Sequence, residues 1–346
     1  MNNQDRPSAS RRAVLLGGVV AAGAMIAKTG AQAQEAARAP AAAPPRKPEW
    51  VPGRAMAAVV QEFPPITQAE KDAALLRPKD PPPLNPPAPK PPPTDAAGLT
   101  AGDVMVPTFD RQMYAYRAYP AGKRGASVVV LMPSNGGVTE AVKDIVRRVA
   151  KAGYYCIAGD FITPYPQLGE HTPNFALIFQ TNEALTQLDF DAQVAFAAKE
   201  GANAAKLACM GFSWGARQVW KVTARNPKIL AGASFYGPLS APGYSYDLPR
   251  FNAKIRETHP SPIEMAAGVK GRVIGFYGTD PRIPEKEELQ PMRDALRAAG
   301  DTKTQIVVFP DVAHGFFEPS GAAYVPARAQ QAWDMMLAWF KSHGVT

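Results

Sequence analysis

Leu207-Ala208-Cys209-Met210, running into Gly211-Phe212-Ser213-Trp214-Gly215, decides how this chain is read. The first four residues form a short apolar run with the look of a buried strand. The residues after the pentapeptide, Ala216 to Ala224, have helical character. A sharp strand-to-helix turn strains its central residue and crowds the positions two before and two after it. Glycine at 211 and 215 removes the Cβ atoms that would clash there. The Ser213 hydroxyl then stands at the start of a helix. Unpaired N–H groups and the helix dipole favour negative charge at that point. Taken alone, the pentapeptide also fits a glycine-rich turn carrying a solvated serine. The rest of the chain has to decide between the two.

Working outward, strand-like and helix-like patterns alternate from Leu99 to the end without repeats. Val104–Pro107 and Met113–Ala118 suggest a leading antiparallel pair. Buried strands are expected at Ser127–Met132, Tyr154–Ala158, Leu207–Met210, Ala231–Tyr236, Val273–Tyr277 and Gln305–Phe309. Helices are expected at Glu140–Gly153, Asn182–Gly201, Glu287–Ala299 and Pro326–His343, besides the one after Gly215. About 250 residues of this texture suffice for one domain with a large core. The alternation implies an α/β fold, with a mainly parallel sheet flanked by helices on both faces.

In such sheets the reactive residues gather at the carboxyl ends of strands. Ser134–Gly137, Asp160, Ser213, Tyr236, Asp280 and His314 all follow strand-like runs. A serine hydroxyl needs a base, and the base needs an orienting acid. Of four histidines, His171 lies in a polar loop, His259 precedes Pro260 and His343 is near the end; His314 alone follows a core strand. The order Ser213, Asp280, His314 matches the Ser…Asp…His order of α/β-hydrolases. Individually, Asp280 before Pro281 also fits a turn initiator, and His314 before Gly315 a loop histidine. Asp311 is too near His314 along the chain to orient its ring, and Asp160 is expected to brace a loop. The oxyanion donors would be the backbone N–H groups of Trp214 and of the 134–137 loop, Asn135 first among them. Trp214, Tyr165, Phe161 and Tyr236 are candidates for the substrate pocket by position, and each equally fits the core.

The N-terminal third reads differently. Ser10-Arg11-Arg12-Ala13-Val14-Leu15, the apolar stretch Ala13–Ala27 and Ala31-Gln32-Ala33 form a twin-arginine export signal with a small-x-small cleavage site. Residues 1–34 are therefore expected to be removed, with no lasting membrane insertion and a periplasmic or secreted destination; an uncleaved anchor is the alternative. About half of the 36 prolines fall in residues 35–98, which reads as an extended arm or linker; a docking ligand is the alternative. Within it, Thr67 and Glu70 form a capping box before Ala73–Leu76. Residues 99–346 are the folded domain. Export permits a disulfide, yet Cys156 and Cys209 both look like interior strand residues, so two free thiols are expected. The net charge of +8 sits partly on the leader and its flank. No dense basic block with interleaved aromatics indicates nucleic acid.

Several further motifs accompany the elbow. They are Val128–Met132 with Pro133-Ser134-Asn135-Gly136-Gly137, Ala150–Tyr155 with Asp160, Phe235-Tyr236-Gly237-Pro238, Gly278-Thr279-Asp280-Pro281 and Ala313-His314-Gly315-Phe316. Together they make residues 100 to 343 resemble the dienelactone hydrolase family of α/β-hydrolases. That resemblance implies Ser213 as nucleophile, Asp280 as acid and His314 as base. The chain departs from the family in three ways. Its nucleophile is serine where the best-known members have cysteine. Ser134 stands where many carry a glutamate that manages the thiol proton. Glu318 and Thr163-Pro164 stand where the family places carboxylate-binding arginines, which argues against dienelactone itself as substrate. Arg217 and Arg282 lie near the motifs.

The expected function is hydrolysis of a small carboxylic ester or lactone through an acyl-enzyme, with no metal or organic cofactor required. A peptidase or acyltransferase would use the same triad. A binding protein on a hydrolase scaffold is the rival from another class. Oligomeric state is not legible.

Overall fold

A computed structural model describes residues 88–109, 111–162, 183–240, 260–279 and 285–346. The leader, the Thr67–Glu70 box, Tyr165, His171, His259, Asp280 and Arg282 lie outside these residues. The strands are β1 (Leu99–Pro107), β2 (Gln112–Pro120), β3 (Ser127–Met132), β4 (Tyr155–Gly159), β5 (Asn203–Phe212), β6 (Ile229–Phe235), β7 (Val273–Gly278) and β8 (Gln305–Phe309). The helices are α1 (Glu140–Lys151), α2 (Glu183–Lys199), α3 (Trp214–Arg225), α4 (Gln290–Ala298) and α5 (Pro326–Ser342). A π-turn, Glu285–Leu289, leads into α4.

The eight strands form one sheet in the order β1-β2-β4-β3-β5-β6-β7-β8. The register is antiparallel for β1 with β2 and for β2 with β4, and parallel for every other pair. β2 alone therefore runs against the rest. The chain steps one way from β3 to β4 and the other way from β4 to β5. Right-handed crossovers then put α1 on one face and α2, α3 and α4 on the other. α5 returns to the face of α1: Tyr154 meets Phe340 edge-on at 6.2 Å, and Arg148 lies 4.7 Å over the Trp333 ring. The reversal of winding at β3 opens a crevice at the carboxyl ends of β3 and β5, where such sheets bind ligands.

β3, β4 and β7 are buried along their whole length, as strands covered on both faces must be. Near the carboxyl ends, Phe235 stacks on Phe276 at 4.9 Å and lies 5.1 Å from Phe212 and 4.6 Å from Phe317. Phe212 precedes Ser213, Phe235 precedes Tyr236, and Phe317 follows His314 by three. One aromatic layer thus underlies the segments of the site, each pair worth about 0.5–1.5 kcal/mol beyond its burial.

Cys156 and Cys209 are free and fully buried. They lie on β4 and β5, with β3 between them. Two strand spacings are roughly 9.5 Å, beyond the reach of a disulfide. Burial pushes both thiols up, so neither is a ready thiolate. The residues just before β1 are tied to α1. Arg147 Nε donates to Thr94 O at 2.5 Å, and Lys151 Nζ meets Asp95 Oδ1 at 2.8 Å. No helix among the described residues is long and apolar enough to cross a membrane.

Candidate active site

Ser213 is the N-cap of α3 and has φ 51° and ψ −114°. That left-handed backbone is costly for a residue with a Cβ, roughly 1–3 kcal/mol, and persists only where its surroundings impose it. Here they do. Ser213 N–H donates to Phe235 O at 3.0 Å, and Arg217 N–H donates to Ser213 O at 3.0 Å. A Cβ on Gly211 would lie 2.6 Å from the Gly215 carbonyl group, and one on Gly215 would lie 2.0 Å from Met132 O and 2.3 Å from Pro133 O. Both glycines are therefore demanded by contact distance. The second contact also shows that the elbow sits directly against the start of the 133–137 loop.

His314 lies in the loop between β8 and α5. Its Nε2 is 3.1 Å from Ser213 Oγ, across 101 residues of chain. This is hydrogen-bond distance for a nucleophile and its base. The loop after β7 runs alongside. Thr279 N–H donates to Val312 O at 2.7 Å, and Thr279 Oγ1 donates to Pro310 O at 2.8 Å. Gly278 permits the approach, since a Cβ there would stand 2.3 Å from Val312 O. Position 280, next along the chain, lies outside the described residues. Thr279 itself is thus clamped to the chain two residues before His314.

Trp214 N–H, at the first position of α3, has no intrahelical acceptor to serve. The 134–137 loop is braced by Gly137 N–H donating to Ser134 O at 3.0 Å. Asp160, fully buried, accepts from Ile162 N–H at 3.0 Å. Its Oδ2 would be 3.3 Å from a Cβ on Gly137, whose φ is +67°. Asp160 thus supports the loop, as its sequence position suggested. Asp311 turns away from the site toward α5, where Arg328 Nε donates to both its oxygens at 3.0 Å. His343, near the end of the chain, is tied down: its Nδ1 is 2.8 Å from Trp339 O and its Nε2 3.0 Å from Gly271 O.

Of the pocket candidates, Tyr236 stands against the base, its ring 4.8 Å from that of His314. It too is left-handed, at φ 49°, and only 2% exposed. Trp214 and Phe161 face one another at 6.4 Å and are both buried, so they form an apolar wall beside the elbow. Arg217 is a structural cation. It is buried, and Nη1 donates to Pro238 O at 3.2 Å and Ser240 O at 2.8 Å. Opposite it, Glu288 accepts from Leu239 N–H at 2.5 Å, from Ser240 N–H at 2.8 Å and from the Ser240 hydroxyl. Sequence reading missed Glu288, because nothing in its surroundings along the chain marks it as the anchor of a loop 48 residues away. Among the described residues, no three His, Cys, Asp or Glu side chains converge as a metal site would require.

Comparison with known proteins identifies the family. The profile of the Dienelactone hydrolase family matches residues 113–344. The protein named "Putative carboxymethylenebutenolidase" in Methylorubrum extorquens is 34% identical over 258 residues, covering 73% of this chain and 84% of that protein. Its namesake in Escherichia coli is 31% identical over 262 residues, covering 73% of this chain and 90% of that protein. A crystal structure described as a "Putative Dienelactone Hydrolase" of Klebsiella pneumoniae superposes with a TM-score of 0.62. It is 31% identical, over 70% of this chain and 98% of that one. An acylaminoacyl peptidase with a TM-score of 0.55 and 18% identity shares the fold. With the α/β-hydrolase sheet, the elbow and the serine–histidine contact in place, the chain belongs to the dienelactone hydrolase family and is a hydrolase.

Proposed function

We propose that the enzyme hydrolyses a carboxylic ester or lactone through an acyl-enzyme on Ser213. His314 Nε2 takes the hydroxyl proton as Oγ attacks the acyl carbon, then returns it to the leaving alkoxide. Water, deprotonated by the same nitrogen, attacks the acyl-enzyme and releases the acid. Negative charge on the tetrahedral oxygen is met by the N–H groups of Trp214 and of the 134–137 loop, Asn135 among them. Asp280 holds the imidazole tautomer and stabilises the imidazolium. Thr279, its neighbour in sequence, is bonded to Val312 and Pro310 of the His314 loop, which supports that role.

The observation that carries this reading is the 3.1 Å contact of Ser213 Oγ with His314 Nε2 on a strained elbow. Rapid mixing with p-nitrophenyl acetate tests it. The expected result is a burst of nitrophenol equal to the enzyme, followed by a slower steady rate, with both lost in Ser213→Ala. A wild-type rate that Ser213→Ala leaves unchanged would refute it. Export of the folded enzyme is proposed from Arg11-Arg12. Replacing both by lysine should retain the protein in the cytoplasmic fraction, and unchanged release would contradict the proposal.

A further inference from the structure

Ser213 and Tyr236 are two of the three non-glycine residues with left-handed backbone among the described residues, and each directly follows one of two paired strands, β5 and β6. A residue keeps that conformation only where its surroundings impose it. Around Tyr236 they are dense. Phe235 O, just before it, accepts from Ser213 N–H, and its own N–H donates to Phe276 O at 2.7 Å. Gly237, just after it, lies against α3: a Cβ there would stand 2.5 Å from Arg217 N. Gly237 O accepts from the Tyr277 hydroxyl at 3.2 Å. Opposite charges grip the next three residues. Arg217 Nη1 donates to Pro238 O and Ser240 O, at 3.2 and 2.8 Å. Glu288 accepts from the N–H groups of Leu239 and Ser240, at 2.5 and 2.8 Å, and from the Ser240 hydroxyl.

Both gripping side chains are buried. Hydrogen bonds from or to an ionised group are short and strong, so a turn held by five of them has one conformation open to it. That conformation matters for what stands on it. The Tyr236 ring lies 4.8 Å from the His314 ring and 5.6 Å from that of Phe316. The imidazole therefore rests on a ring whose place is set by residues 237–240. Arg217 is one turn along α3 from Ser213, and Glu288 belongs to the π-turn of the β7–α4 connection, the connection that includes position 280.

We infer that Arg217 and Glu288 are positioning residues for the base. Their grip on residues 238–240 keeps Tyr236 left-handed, and the Tyr236 ring keeps His314 Nε2 aimed at Ser213 Oγ, 3.1 Å away. Both act through Tyr236 and not on the substrate. Without the grip Tyr236 relaxes, its ring leaves the imidazole, and the base loses its alignment with the nucleophile. The inference rests on the acyl-enzyme reading and adds the residues that aim its base.

Full-length variants test it by p-nitrophenyl acetate kinetics, thermal melts and NMR of the His314 ring protons, assigned by their loss in His314→Ala. The control is Arg117→Ala, which opens a partly buried pair with Glu200 on β2, with β4 and β3 between it and the elbow strand. Glu288→Ala and Arg217→Ala should lower kcat by about tenfold to a hundredfold with little change in KM, and should move the His314 resonances. Glu288→Gln still accepts both N–H groups through its amide oxygen and donates to the Ser240 hydroxyl, so it should restore kcat to within about threefold of wild type. Tyr236→Leu should match the alanine variants. Adding Glu288→Ala to it should slow it no further, because the ring through which Glu288 acts is already gone. Arg117→Ala should lose stability and keep both kcat and the resonances. Arg217→Lys keeps the charge without the fork and gives the same readings if an alanine variant fails to fold. The NMR arm needs no turnover: a wild type without a burst refutes the acyl-enzyme reading and leaves the resonances to decide the grip. Unmoved His314 resonances in the folded variants, kcat values that follow the control, or losses that multiply in the double variant would overturn the inference.

Discussion

Gly215→Ala isolates the geometry of the elbow from its chemistry. The new methyl would stand 2.0 Å from Met132 O and 2.3 Å from Pro133 O, where ordinary contact begins at 3.4 Å. Both neighbours are backbone, so no side chain can rotate away, and α3 must retreat from β3 by on the order of 1 Å, a misplacement that can cost 10²-fold in rate. Trp214 N–H moves with it, and losing one oxyanion donor costs about 10²–10³ in kcat. Overpacking of this kind destabilises by about 1–3 kcal/mol, which lowers the melting temperature by roughly 2–12 °C in a domain of this size. Gly300→Ala is the control. It has φ +74° and nothing within 4 Å, so it should lose some stability to backbone strain and keep its kcat. Calorimetry and ester hydrolysis on both variants separate the two effects. Gly215→Ala with a kcat within twofold of Gly300→Ala would refute the claim that the elbow is held against the loop after β3.

Further consequences follow from charged groups. On the proposed role of Asp280 as the acid that orients the base, Asp280→Asn should lower kcat by about 10³–10⁴; steady-state kinetics check it. Asp189→Ala should destabilise by about 3–5 kcal/mol in chemical denaturation, since Arg111 Nη2, 2.6 Å from Asp189 Oδ2, would be left as a buried charge without its nearest anion. Glu318 should make stability depend on pH. Its folded value of about 7 lies above the unfolded value near 4.3, so the folded state binds the proton more tightly. That contribution is complete below the unfolded value and is lost as the pH rises through 7. Glu318→Gln should therefore gain on wild type from pH 4 to pH 8, by about 1–3 kcal/mol at the upper end. Denaturant melts across that range should show the gap, and a constant gap would contradict the assignment.

The elbow was legible because its constraint is local: two glycines and one serine fix a turn whose crowding depends on neighbours two residues away. The alternation of elements likewise gave the order of strands and helices along the chain, with Ser213 and His314 each after a strand. Other features depend on distant partners and left no local mark. β1 begins at Leu99, where Thr100-Ala101-Gly102-Asp103 has no strand-like pattern of its own; pairing with β2 makes it a strand. β5 begins four residues before its apolar run, at Asn203, because Asn203 pairs with Ser127 of β3 across a register shift. The π-turn before α4 and the left-handed backbone of Tyr236 are set by packing at the sheet's carboxyl edge. The order of Ser213 and His314 was readable; their 3.1 Å approach is a property of the fold.

The most direct test of the central claim is fluorophosphonate treatment followed by intact mass and peptide mapping, comparing wild type with Ser213→Ala and His314→Ala. One label per chain, mapped to Ser213, absent in Ser213→Ala and nearly absent in His314→Ala, is the result the account predicts. A folded wild-type protein that takes no label, or takes it elsewhere, would contradict it.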